Sequence, residues 1–248
     1  MANLPERCDA GIVFALATEA DAFAARVGGA STRSGALDFH EGLLGGRRVA
    51  WVVCGPGMDA AGRAADLLLD GHRPRHLLSA GFAGGLDPGL GRGAAVVAGR
   101  SLRDGCPPLD LLAPACPTAV VGRDLVTVDA VVATAAAKRD LRAATGAAIV
   151  DMECRAVADR ATAAGVPCLS VRVVSDAADD DLPPDILRLV TPQSALRRAG
   201  AALSLLGRRP AAASTLWRLW ENAVVDGRTL AEALEATIGL LPAAAPRR

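Results

Sequence analysis

Charged side chains interrupt or end several apolar, strand-like segments of this sequence. Glu19 comes shortly after GIVFAL (residues 11–16), and LSVRVVSD (residues 169–176) contains Arg172 and ends in Asp176. A buried arginine needs an acidic partner, and Glu19 is one candidate. Acids and an arginine collected at one edge of a sheet would form a site for acid/base chemistry.

A second acidic segment, VDMECRAVA (residues 150–158), places Asp151 and Glu153 at the end of another apolar run. Each acid alone has a simpler explanation, because carboxylates are favoured at the N-termini of helices. That explanation does not account for Arg172 inside an apolar strand, so both interpretations remain open.

Two glycine-rich segments could approach a ligand closely. GPGMDAAG (residues 55–62) can hold an anion at a helix N-terminus, but a tight strand-to-helix turn explains it equally well. It has neither GxGxxG nor the GK[ST] of a P-loop, which disfavours dinucleotide and ATP binding. In SAGFAGGLDPGL (residues 79–90) the glycines would let a flat ligand approach the backbone, or would simply form a loop.

The segments that must position these residues alternate between short apolar strands and Ala-rich helices. This alternation predicts an α/β fold, a three-layer α/β/α arrangement with a central mixed sheet. One domain over residues 1–248 is expected, with C-terminal helices over 193–240 packed on it. We predict strands at 11–16, 36–44, 47–55, 75–85, 91–99, 118–121, 147–152 and 168–174, and helices at 18–27, 58–71, 131–144, 154–165, 193–207 and 214–225.

Two of these helices carry more specific expectations. Thr18 is a plausible N-cap of the first helix. In the last helix Trp217 and Trp220 share an apolar face, which favours packing on the protein body over a subunit interface or a surface for an apolar substrate. A break is expected over 207–214, and the acids Asp179 to Asp181 are expected in a solvated loop.

Composition excludes several classes of function. The 27 basic residues balance the 27 acidic ones, which disfavours nucleic acid or an anionic membrane as a partner. Aromatic residues make up 3% of the 248 residues, so a base-stacking platform is not expected. The six cysteines form no CxxC pair, which favours reduced thiols in a cytoplasmic protein over disulfides or a metal site. No signal peptide, transmembrane segment or cofactor is expected.

The ordered motifs GIVFALATEAD, CGPGMDAAG, GFAGGLDPGLGRGA, VDMECRAVA and VPCLSVRVVSDAADD resemble the purine nucleoside phosphorylase/uridine phosphorylase family. They are most similar to its methylthioadenosine/S-adenosylhomocysteine nucleosidase branch. The resemblance covers about residues 10–180. It implies a phosphorylase/hydrolase-like fold, a homodimer, and cleavage of the N-ribosidic bond of a purine nucleoside.

The resemblance also implies roles for single residues. Asp176 would protonate N7 of the leaving purine, with Ser175 orienting it. Glu19 would hold and activate the attacking water, with Arg172 beside that water. Glu153 would accept hydrogen bonds from the ribose hydroxyls. Further substrate contacts are expected from Met152, Asp151, Phe82, Ala83, Gly84, Val150 and Val132.

The chain departs from the family pattern at three positions. Phe82 replaces a serine, Asp151 replaces a glutamate, and Val131 and Val132 stand where the nucleosidases have a phenylalanine that stacks on adenine. Loss of the serine favours water over phosphate as the nucleophile. Three alternatives stay open: a phosphate-dependent phosphorylase, an enzyme that removes adenine from an adenosylhopane-type conjugate, and a silent nucleoside-binding protein.

Overall fold

The computed structural model of the protein describes residues 7–34, 37–182 and 210–242. Within these ranges, only the backbone is described for residues 30–34 and 210–220. The helix predicted over 193–207 lies outside the described residues, as do the side chains of Trp217 and Trp220.

Runs of one to four strands separate the helices along the chain, so the alternation predicted from the sequence holds only in part. The strands are β1 (Ala10–Phe14), β2 (Gly29–Ser34), β3 (Leu37–Leu44), β4 (Arg47–Val53), β5 (His76–Gly85), β6 (Ala95–Leu102), β7 (Leu109–Asp110), β8 (Val120–Thr127), β9 (Ile149–Asp151) and β10 (Cys168–Asp176). The helices are α1 (Ala17–Val27), α2 (Met58–His72), α3 (Ala135–Thr145), α4 (Cys154–Ala163) and α5 (Pro210–Gly239).

The strands form one mixed sheet. Its order is β10-β6-β8-β9-β5-β1-β4-β3-β2, with β7 paired to β6. An additional pairing between β10 and β5 joins β5, β10, β6, β8 and β9 into a closed ring. The predicted mixed α/β sheet is confirmed. Strand β5 pairs with three strands, β1, β9 and β10.

Helices cover both faces of the sheet because the apolar strands are buried on both sides. On one face, α2 and α4 pack with residues such as Val13 and Leu77. On the other face, α1 and α5 pack with residues such as Phe14 and Leu78. Within α5, the described side chains Leu230 and Leu234 are fully buried.

Several element boundaries differ from the prediction. Leu16 is the N-cap of α1, so Thr18 lies inside the first turn and its prediction as the cap is wrong. The predicted break over 207–214 is also wrong in part, because α5 begins at Pro210. Strand β2 was not expected, since its sequence GASTRS has no apolar alternation. In the described part of the chain, no helix is long and apolar enough to cross a membrane.

Strand direction brings the candidate residues together. Strand β1 runs parallel to β4 and β5, and β10 runs parallel to β5. The carboxyl ends of these strands therefore meet at one edge of the sheet, where α/β proteins bind ligands. In the pairing of β10 with β5, Arg172 lies opposite Gly81 and Asp176 opposite Gly84, with a register shift between Val174 and Asp176.

Candidate active site

Glu19 lies at the third position of α1, and its carboxylate is buried. Its Oε2 accepts hydrogen bonds from the backbone N–H groups of Ala15 (3.0 Å) and Leu16 (2.8 Å), so it caps the helix. Its Oε1 accepts a bond from the N–H of Phe82 at 2.8 Å. Burial raises the pKa of Glu19, although these hydrogen bonds and the charge of Arg172 oppose the rise. A buried carboxylate with a raised pKa suits a general base.

Arg172 is also buried, but its ion-pair partner is Asp151 and not Glu19 as proposed from the sequence. Its Nη2 lies 2.5 Å from Oδ2 of Asp151 and donates to Ser79 Oγ at 2.6 Å. Burial opposes the charge on the guanidinium, but the neighbouring acids, first among them Asp151, outweigh it and raise the pKa of Arg172. The partner differs because β9, through its pairing with β5 and β8, places Asp151 beside the middle of β10.

Both oxygens of Asp151 accept hydrogen bonds from protein donors. Besides the bond from Arg172, its Oδ2 accepts the N–H of Cys154 at 2.8 Å, and its Oδ1 accepts the hydroxyl of Thr127 at 2.7 Å. A carboxylate held in this way fixes Arg172 and the start of α4. The side chain of Asp151 has no exposed surface in this arrangement for the substrate contact that the resemblance implies.

Glu19 and Arg172 converge on Gly81. A Cβ atom placed on Gly81 would lie 2.5 Å from Oε1 of Glu19 and 2.9 Å from Nη1 of Arg172. No described residue accepts a hydrogen bond from the buried Nε of Arg172. Because Gly81 has no side chain, a carboxylate oxygen and a guanidinium nitrogen can both lie against the backbone at this point of β5.

Glu153 connects the segment after β9 to the turn before α2. Its Oε1 accepts the N–H of Gly57 at 2.7 Å, and its Oε2 accepts the N–H of Met152 at 3.3 Å. The glycine turn therefore does bind an anion, and the anion is this side chain. Burial, followed by the charge of Asp151, raises the pKa of Glu153 to about 7.

Asp176 ends β10 and is buried, with its oxygens held by two different donors. Oδ1 accepts the hydroxyl of Ser175 at 2.7 Å, and Oδ2 lies 2.6 Å from Nζ of Lys138. A Cβ on Gly84 would lie 3.3 Å from Oδ2, so Asp176 packs against Gly84 in the same way that Glu19 packs against Gly81. Gly81 and Gly84 are three residues apart on β5, and three strand residues span roughly 10 Å. Glu19 and Asp176 are therefore separated by about that distance along β5.

The remaining predicted residues surround these groups. The side chain of Phe82 is half-buried in the apolar layer beneath α1 and α5, so only its backbone N–H reaches Glu19. Ala83 accepts a hydrogen bond from Ser175 Oγ at 3.3 Å. Val150 lies beside Gly84, and Val132 packs on the same small apolar cluster as Val150.

Three polar contributors were missed by the sequence analysis: Lys138, Ser79 and Thr127. Ser79 lies within a buried strand and Thr127 at the end of another, where a single hydroxyl gives no signal. Lys138 lies in the polar segment AKRDLRAA, which is typical of a solvated helix. Its burial depends on where β10 ends, which local sequence does not reveal.

The chain matches a known protein family. The chain matches the family model of the phosphorylase superfamily over residues 9–119 and 117–206. A comparison with curated proteins gave no significant match.

The solved structures that the chain resembles include nucleosidases and a futalosine hydrolase. An S-adenosylhomocysteine nucleosidase from Streptococcus pyogenes is 19% identical, with a TM-score of 0.72 over 97% of this chain and 100% of that one. A 5′-methylthioadenosine/S-adenosylhomocysteine nucleosidase from Neisseria meningitidis is 17% identical, with a TM-score of 0.67 over 91% and 98%. Futalosine hydrolase of Helicobacter pylori is 16% identical, with a TM-score of 0.66 over 91% and 96%. The family match and the shared fold together show that this chain belongs to the phosphorylase superfamily.

Proposed function

We propose that the protein hydrolyses the N-ribosidic bond of a purine nucleoside or adenosine derivative and releases the free base. The observation that carries the proposal is the placement of two acids against one strand. Glu19 faces Arg172 across Gly81, and Asp176 lies farther along at Gly84. Glycosidases that activate a water on one side and protonate the leaving group on the other also need two separated carboxyl groups.

In the proposed mechanism, a water molecule lies between Oε1 of Glu19 and Nη1 of Arg172. Glu19 accepts a proton from this water as its oxygen attacks C1′ of the ribose. Glu153 accepts hydrogen bonds from the 2′- and 3′-hydroxyls, which stabilises the oxocarbenium-like sugar. Asp176 takes up a proton in the complex with the substrate and gives it to N7 as the bond between C1′ and N9 breaks. The carboxylate that remains is then stabilised by the ammonium of Lys138.

The charge at Gly81 supports water over phosphate as the nucleophile. Arg172 is already paired with Asp151, and the carboxylate of Glu19 lies beside Arg172 at Gly81, where the nucleophile is proposed to bind. A phosphate dianion there would meet an uncompensated like charge, whereas water can donate to Glu19. A phosphorylase would have to neutralise this acid first.

Base release measured with and without phosphate tests the proposal. Wild-type protein should release free base from at least one adenosine derivative in phosphate-free buffer. Asp176→Asn and Glu19→Gln should each reduce kcat by roughly 10²–10⁴-fold, the usual worth of a positioned acid or base. Release only with phosphate would make the protein a phosphorylase, and binding without release would make it a silent binder.

The nature of the 5′ substituent is tested in the same screen. Derivatives should include methylthio, homocysteinyl and long apolar 5′ groups, because the last would indicate an adenosylhopane-type substrate. Each is compared by kcat/KM, which measures discrimination between competing substrates.

The homodimer and the cytoplasmic location remain part of the proposal. The support for the dimer is the family resemblance, and light scattering of the purified protein would test it. The support for the cytoplasm is the set of six cysteines, four of them buried, which suits a reducing compartment. Fractionation of the source cells would test that location.

A further inference from the structure

Lys138 has an environment that the proposed reaction does not yet explain. It is the only buried residue of α3, and its side chain is 0% exposed. Its Nζ lies 2.6 Å from Oδ2 of Asp176, 2.6 Å from the carbonyl oxygen of Ala177 and 3.0 Å from that of Asp180. A lysine ammonium has three N–H donors, so all are used and none is left for a ligand.

A buried ammonium at this position is unfavourable because it loses its hydration. Taking an ammonium and a carboxylate out of water is unfavourable, and good geometry must offset that cost. An apolar side chain would anchor α3 without it. The position of Lys138 therefore favours a role that needs its charge or its donors.

The segment after Asp176 is tied to the same helix. Asp181 Oδ1 accepts the N–H of Ala135, the first residue of α3, at 2.7 Å. The N–H of Leu182 donates to the carbonyl of Ala133 at 2.8 Å. Asp180 closes the turn, because its Oδ2 accepts the N–H of Ala177 at 2.8 Å. The acids expected in a solvated loop are exposed, but two of them hold this turn.

We propose that Lys138 is a positioning residue for Asp176. It fixes one carboxyl oxygen by a charge-assisted hydrogen bond while Ser175 fixes the other, and it holds the turn that follows. The side chain of Asp176 keeps an exposure of 12%, and its Oδ2 lies close to Gly84. The role rests on the proposed function, in which Asp176 delivers its proton to the leaving base.

This role acts only on the step that needs a proton. A ribosyl ether with 4-nitrophenol as the leaving group separates the two cases, because 4-nitrophenolate departs without protonation. Lys138→Met should lower kcat for a purine nucleoside by roughly 10²-fold, within the range for general acid catalysis. The same variant should change kcat for 4-nitrophenyl riboside by no more than about threefold.

Arg139→Met is the matched control, because Arg139 is the exposed cation next in the same helix. It should leave both rates unchanged. Equal losses on both substrates in Lys138→Met would show a general structural role and would overturn the proposal. Unchanged rates on both would overturn it too.

A second measurement does not depend on the proposed activity. If wild-type protein cleaves neither substrate, the proposed function fails, and the crystal structure of Lys138→Met still decides the role of Lys138. We expect the carboxyl group of Asp176 to turn away from Ser175 and Gly84 in that variant. A carboxyl group in its original place would overturn the proposal. Should Lys138→Met not fold, Lys138→Gln, which keeps an uncharged donor, takes its place in both experiments.

Discussion

Two buried ion pairs stand at opposite ends of the candidate site, and they are built in opposite ways. In the pair of Arg172 with Asp151, both acid oxygens are occupied by protein donors, while the Nε of the arginine has no described acceptor. In the pair of Lys138 with Asp176, all three cation donors are occupied, while the acid keeps an open edge.

The difference separates the supporting member of each pair from the member that can act on a ligand. The member whose hydrogen-bonding groups are occupied by the protein holds its partner in place, and the other member can still bond to a ligand. In the proposed mechanism, the group that acts on the substrate or the water is therefore the cation in the first pair and the acid in the second. Positive charge then lies near the nucleophile and a proton donor near the leaving group.

Asp151→Asn should have the largest effect, because it leaves Arg172 buried without a compensating charge. Removing one member of a buried ion pair typically costs about 3–5 kcal/mol. We expect a loss of that size in the free energy of unfolding, measured with chemical denaturant. Asp124→Asn is the control, since Asp124 pairs with the half-exposed Arg100 and should lose less than about 1 kcal/mol. Equal losses would mean that Asp151 does not support the arginine.

Glu153 should make stability depend on pH. Its pKa is about 7 in the folded protein and about 4.3 in an unfolded chain. The folded state binds the proton more tightly, so this stability is complete below about pH 4.3 and is lost as pH rises through about 7. Relative to Glu153→Gln, the wild-type protein should lose roughly 3 kcal/mol between pH 4 and pH 8. Parallel unfolding curves for the two proteins would contradict this expectation.

Two glycine variants probe the two ends separately. In Gly81→Ala the new Cβ lies 2.5 Å from Glu19 and 2.9 Å from Arg172, so these side chains must move. A displacement of about 1 Å can cost 10²-fold in rate, and we expect a kcat loss of that order on both nucleoside and 4-nitrophenyl riboside. In Gly84→Ala the contacts are looser, 3.0 Å to Val150 and 3.3 Å to Asp176, so a smaller loss is expected, confined to the nucleoside. The opposite order would show that the two ends are misassigned.

Ser175→Ala should have the smallest effect. It removes one hydrogen bond to Asp176, and a hydrogen bond of this kind contributes about 0.5–1.5 kcal/mol. We expect kcat for a purine nucleoside to fall roughly threefold to tenfold, with 4-nitrophenyl riboside unaffected. A loss as large as that of Lys138→Met would indicate that the hydroxyl, and not the ammonium, holds the acid.

The sequence indicated Arg172 and Asp176, one member of each ion pair. It missed Lys138, and it assigned Asp151 to the substrate and not to Arg172. Arg172 and Asp176 stand out because charge is unusual in or at the end of an apolar strand. Glu19 and Glu153 stand out because each follows an apolar strand. These signals are local. The parallel order of β1, β5 and β10 brings Glu19, Arg172 and Asp176 together, whereas Glu153 follows β9, which runs antiparallel to β5.

The supporting residues depend on long-range register, which local sequence does not encode. Asp151 reaches Arg172 because β9 crosses between β8 and β5. Lys138 reaches Asp176 because α3 lies against the turn after β10. In a segment as polar as AKRDLRAA, a lysine that becomes buried has the same pattern as one that stays in water.

The pairing between β10 and β5 has a consequence for how such a protein can change. Arg172 and Asp176 each stand opposite a glycine of one strand. If they act as proposed, the distance between nucleophile and leaving group is set by backbone register. Substitutions in the surrounding segments can alter which molecule is admitted without altering that distance. Proteins built on this frame should therefore diversify readily in the compounds that they recognise while retaining one kind of bond cleavage.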